Sequence, residues 1–138
     1  MFVGQFEHSL DAKGRLVLPA RFRQHLADGG YVSTLEVALG LWTPQQFEEM
    51  VMKLEQSAEE GRVPQARIRA FAAATDEIRP DSAGRILLPP RLRESIGLEK
   101  DAVIIGRLRR IEIFTPQGWA EENERGGELS ETFDLLGI

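Results

Sequence analysis

EHSLDAKGRLVLPARFRQHL, residues 7–26, returns seventy positions later as EIRPDSAGRILLPPRLRESI, residues 77–96. Eight of the twenty positions are identical: Glu7/Glu77, Asp11/Asp81, Gly14/Gly84, Arg15/Arg85, Leu18/Leu88, Pro19/Pro89, Arg21/Arg91 and Arg23/Arg93. The repeat resumes at an offset of 72, where LGLWTPQQF (39–47) aligns with IEIFTPQGW (111–119). Self-similarity at a fixed spacing signals a structural unit used twice. The expected organisation is a first repeat over 5–47, a helical connecting segment over 48–76, a second repeat over 77–120 and an acidic tail over 121–138.

Each copy centres on a D-x-x-G-R loop. Aspartate at the first position and glycine at the fourth suit a type I turn whose glycine is left-handed. FVGQFEHSL and RLVL, joined by DAKG, therefore read as a β-hairpin, and DSAG repeats the chemistry at 81–84. Pro19 and Pro89 are placed to open short helices, because proline is tolerated in a first helical turn. YVSTLEVALGLW and AVIIGRLRRIEIF, rich in β-branched and aliphatic residues, read as strands. Thr43-Pro44-Gln45-Gln46 has the form of a capping box, opening a helix with Phe47, Met50, Val51, Leu54 and Ala58 on one apolar stripe. PQARIRAFAAA starts another helix, whose Arg67 and Arg69, with Arg62 before them, read as a solvated face. Leu129, Phe133 and Leu136 predict a short terminal helix docked on the body or on a neighbouring subunit. The fold class expected from these elements is α+β.

The net charge of −5 argues against a nucleic-acid partner until its distribution is considered. Residues 1–26 carry +2 and residues 62–110 carry +5, whereas 27–61 and 111–138 carry −6 each. The positive blocks hold the repeated motif. Asp11 and Arg15, like Asp81 and Arg85, flank a tight turn and can pair across it. One such loop alone reads more readily as a turn staple than as a binding element. Arg21, Arg23, Arg91 and Arg93 gather further positive charge around both copies. An arginine fork can grip phosphate or a guanine edge bidentately, and an adjacent aspartate can fix its orientation.

The opening MFVGQFEHSLDAKGRLVLPARFR, with a second D-x-x-G-R and then IEIF, resembles the MraZ family, which has two AbrB-like (SpoVT-AbrB) half-domains. The resemblance implies a swapped-hairpin or double-psi-like β-barrel core formed from two pseudo-symmetric repeats and flanked by short helices. It implies a ring-shaped homo-oligomer of the octamer type. It also implies a cytoplasmic, nucleoid-associated regulator, expected to repress, that binds repeated promoter elements of the division and cell-wall gene cluster. Carried over by position, the DNA-contacting residues are Asp11, Lys13, Arg15, Asp81 and Arg85, with Arg21, Arg23, Arg91 and Arg93 expected beside them. Two departures stand out: Pro80 replaces Leu10, which suits only an edge or strand end, and Ala83 replaces Lys13.

Other classes fit less well. A paired-carboxylate hydrolase would need one aspartate to hold a proton, and an arginine four residues on keeps each ionised. His8 and His25 stand alone, and the absence of cysteine removes thiolate chemistry. No cofactor, metal or catalytic role is expected. An AbrB-like antitoxin, binding a protein rather than acting on a promoter, is the remaining alternative. The N-terminus lacks a basic start and a long apolar stretch, so neither a signal peptide nor a membrane span is expected.

Overall fold

Each copy of the repeat lends its leading strand to the other in the computed structural model, which describes residues Met1–Ile138. The first copy contributes β1 (Phe2–Ser9), β2 (Arg15–Val17), α1 (Ala20–Arg23), β3 (Gly30–Thr34), β4 (Leu39–Trp42) and α2 (Pro44–Glu59). A short helix α3 (Gln65–Ala73) follows. The second copy contributes β5 (Asp76–Ile78), β6 (Arg85–Leu87), α4 (Pro90–Ser95), β7 (Asp101–Leu108), β8 (Ile111–Phe114) and α5 (Pro116–Arg125), and α6 (Leu129–Leu136) ends the chain.

The strands form a six-stranded antiparallel sheet in the order β1-β7-β8-β4-β3-β5 and a separate two-stranded ribbon, β2-β6. The first strand of each copy pairs with the third strand of the other: β1 with β7 and β5 with β3. β4 likewise pairs with β8, and β2 with β6. The architecture is α+β, as expected. The expected hairpin, however, is corrected. Asp11 N–H donates to Arg15 O at 2.9 Å, which closes the turn, but β1 and β2 then part into different sheets. A closed barrel is not formed either, because the sheet ends at β1 and β5 without a bond between them.

The parting has a physical cause. Leu16 and Ile86 face each other across the ribbon, both fully buried. Burial of two such side chains contributes about 1.5–3 kcal/mol each, and they bury only if the ribbon lies flat on the sheet. The main core therefore fills the space between ribbon and sheet. Leu16, Leu18, Phe22, Ile86, Leu88 and Leu92 meet Val32, Leu39, Leu41, Ile104, Ile111 and Ile113 there. Phe22 stands edge-on to both Phe2 and Phe6, with ring centroids 5.2 Å away in each case. On the other face of the sheet, Val103, Ile105 and Phe114 pack with Trp119 of α5. Tyr31 stacks on Phe47 of α2 at 4.3 Å, and Trp42 meets Phe47 and, from α3, Phe71.

Smaller expectations resolve unevenly. The two long apolar runs each fold into a hairpin rather than one strand, turning at 35–38 and 107–110. Thr43 caps α2 by accepting from Gln46 N–H at 3.1 Å, but Gln46 Oε1 is buried without a partner, so only half of the capping box forms. α6 does not dock on the body: Leu129, Phe133 and Leu136 are all exposed. No helix is long and apolar enough to cross a membrane.

Candidate nucleic-acid interface

The D-x-x-G-R turn is built by its aspartate. Asp11 Oδ1 accepts the backbone N–H groups of Lys13 and Arg15, both at 2.9 Å. Asp81 Oδ1 accepts those of Ala83 at 2.9 Å and Arg85 at 3.0 Å. Gly14 and Gly84 complete the turns at φ 78° and 77°, in the region that favours glycine. The second carboxylate oxygen holds the arginine: Arg15 Nε donates to Asp11 Oδ2 at 2.7 Å, and Arg85 Nε to Asp81 Oδ2 at 2.8 Å. These pairs are local rather than between paired strands, and they leave the terminal Nη groups of Arg15 without a hydrogen-bond partner in the structure.

The aspartates are firmly ionised. The Asp11 carboxyl lies below its ordinary value of 3.8, chiefly because the Arg15 backbone N–H donates to it. Partial desolvation opposes that shift, while the Arg15 side chain and the Lys13 N–H reinforce it. Asp81 is lowered in the same way by the Arg85 backbone N–H, again against desolvation and with help from the Arg85 side chain and Ala83 N–H. Neither carboxyl is suited to proton transfer near neutral pH.

The ribbon brings the two turns together. Arg15 lies opposite Leu87 and Val17 opposite Arg85, so these four side chains share the face away from buried Leu16 and Ile86. That face carries two arginines on one diagonal and two apolar side chains on the other. Leu87 is 56% exposed. The turns are also stitched crosswise, since Leu18 N–H donates to Gly84 O and Leu88 N–H to Gly14 O, both at 3.1 Å.

The other expected residues are placed differently. Lys13 is exposed at the tip of its turn. Arg21 is exposed and lies over the Phe6 ring at 5.0 Å. Arg91 Nη2 sits 2.7 Å from Asp76 Oδ2, although the two are not aligned as a hydrogen bond. Arg23 and Arg93 are half-buried and turn inward, against Gly84 and Gly14. The repeat alone does not reveal Val17 and Leu87 as members of this face, because their orientation depends on the pairing of β2 with β6. Arg62 pairs with Glu60, while Arg67 and Arg69 are exposed on α3.

Fold and site together define a class: an α+β protein of two interlocked repeats that presents a two-stranded ribbon bearing paired arginines. Comparison with known sequences agrees. The family model described as MraZ protein, antitoxin-like, matches residues 1–66 and 71–132, one span for each repeat. The Transcriptional regulator MraZ of Symbiobacterium thermophilum is 38% identical, over 99% of this chain and 100% of its own length. That of Mycolicibacterium gilvum is 42% identical over 90% of this chain and 88% of its own. That of Acetivibrio thermocellus is 34% identical over the full length of both. The chain belongs to the MraZ family.

Proposed function

We propose that this chain is a DNA-binding transcriptional regulator that reads duplex DNA with the β2-β6 ribbon and its two turns. The carrying observation is that Arg15 and Arg85 lie diagonally on one outward face of the ribbon, each held by its aspartate through Nε. A two-stranded ribbon fits the major groove, which is about 12 Å wide. An arginine held through Nε can offer its Nη groups to guanine O6 and N7 or to phosphate. Lys13, Arg21 and Arg91 supply further charge at the margins, and no catalytic step is assigned to the site.

The finer reading follows the family resemblance. Two AbrB-like repeats over 5–47 and 77–120, joined by 48–76 and followed by the 121–138 tail, form the subunit. Copies assemble into a ring on the nucleoid, where several ribbons engage repeated promoter elements of the division and cell-wall gene cluster and repress it. A subunit with a net charge of −5 binds one site weakly, and linked sites raise the effective affinity without new contacts. The test is selection of duplexes from a random pool by the purified protein, with light scattering for assembly size. Recovery of a repeated element by an assembly larger than a dimer supports the reading; no enrichment over the input pool contradicts it.

A further inference from the structure

Arg23 and Arg93, which the charge pattern places among the DNA contacts, each lie against the glycine of the opposite turn. We propose that they are positioning residues acting crosswise, each arginine seating the D-x-x-G-R turn of the other repeat. The proposal rests on the DNA reading only for what the turns are positioned to do.

The geometry occurs twice. Arg93, near the end of α4, lays its guanidinium against Gly14 of the first turn. A Cβ added there would meet Arg93 Cζ at 2.8 Å and Nη2 at 2.9 Å. Arg93 is held in that place because its Nε donates to Leu88 O at 2.9 Å, and Leu88 N–H itself donates to Gly14 O at 3.1 Å. A continuous chain thus runs from the first turn through Leu88, just after β6, to the arginine of the second repeat. In the pseudo-symmetric place, Arg23 lies against Gly84 so closely that a Cβ on that glycine would fall inside the arginine side chain. Arg23 Nη1 donates to Ala83 O at 3.4 Å, and Leu18 N–H to Gly84 O at 3.1 Å.

Neither arginine forms an ion pair, although Arg15, Arg85 and Arg91 all do. A flat, delocalised guanidinium can lie on a peptide surface that carries no Cβ, which a tetrahedral ammonium does poorly. The glycine of each motif therefore meets two demands, a positive φ and a bare surface for the opposing arginine. The two braces differ in kind: Arg23 reaches a carbonyl of the opposite turn itself, at 3.4 Å, whereas Arg93 is anchored to Leu88 O of its own repeat and meets the first turn at Gly14.

Amide hydrogen exchange on the full-length protein without DNA tests the crossing directly. Lys13, Gly14, Arg15 and Leu88 report the first turn, and Ala83, Gly84, Arg85 and Leu18 the second. R93A is expected to speed exchange of the first set on the order of tenfold and to spare the second. R23A is expected to do the reverse. Should R93A fail to fold, R93K carries the same comparison, since it keeps the charge and lacks the planar fork. Exchange that rises only beside the substituted residue, or equally in both turns, overturns the proposal. A salt titration on duplexes selected from a random pool forms the second arm. R93A is expected to relax base preference and leave the salt slope unchanged; a slope lower by about one would make Arg93 a phosphate contact and overturn its positioning role. If no duplex binds wild type, the DNA reading fails while the exchange result still decides the brace.

Discussion

The Arg85 guanidinium reaches across the repeat boundary to within 3.9 Å of Asp11 Oδ2, the oxygen that already accepts Arg15 Nε. No matching ion pair joins Arg15 to Asp81. Both arginines thus share one carboxylate, and the two motifs form one charged surface rather than two independent tips. The contact is long and partly exposed, so it orients more than it stabilises.

Interlocking sets the folding unit. β1 and β2 find their partners in β7 and β6, beyond residue 100 and at 85–87 respectively, so a fragment of residues 1–61 keeps only the β3-β4 pairing. Such a piece buries too little surface to fold alone. Circular dichroism of the monomeric fragment is expected to show no cooperative thermal transition, and a sharp one would contradict the interlocked core.

Local interactions can be read from the sequence, and those between distant segments cannot. The turn chemistry of Asp11–Arg15 lies within five residues, so it could be read directly and was found as expected. The partner of each strand could not, because RLVL suits a local hairpin and a crossed ribbon equally; burial of Leu16 against the core decides it. The run YVSTLEVALGLW hid a turn because Leu35–Ala38 carries no glycine or proline. Its counterpart turns through Leu108 at φ 65°, a conformation no sequence rule assigns to leucine. The contacts of Arg23 and Arg93 are hidden in the sequence for the same reason: only the crossed fold brings them to the opposite glycines.

The glycines offer a controlled comparison. Gly14 and Gly61 have nearly the same φ, 78° and 76°, but a Cβ at Gly61 meets nothing within 4 Å. Gly61→Ala is expected to cost about 1–2 kcal/mol, the backbone term alone. Gly14→Ala should cost more because Arg93 must also move. Urea denaturation of both variants checks this, and equal losses would show that the arginine yields freely.

The turns also carry a pH signature. Because the folded carboxyls of Asp11 and Asp81 lie below their ordinary value of 3.8, their contribution is complete above that value and lost as pH falls through the folded ones. Carboxyl carbon shifts followed by NMR are therefore expected to titrate below 3.8 at both positions, with turn protection constant from neutral pH down to the carboxylate range. Titration above it would mean that the backbone donors do not hold the carboxylates in solution.

If Arg15 and Arg85 face DNA rather than merely staple their turns, removing them weakens binding and leaves the fold intact. Binding isotherms at several salt concentrations, on a duplex selected by the wild-type protein, compare it with Arg15→Ala, Arg85→Ala and the double variant. Thermal unfolding and assembly size are measured on each. Each single variant is expected to fold and assemble normally while losing about 1–3 kcal/mol of affinity if its arginine reads a base. An arginine that grips phosphate instead lowers the salt slope by about one. Arg15→Ala is expected to be the more damaging, since Lys13 has only Ala83 as its counterpart. A well-assembled double variant that binds the selected duplex as tightly as wild type would contradict the account and move the DNA surface elsewhere.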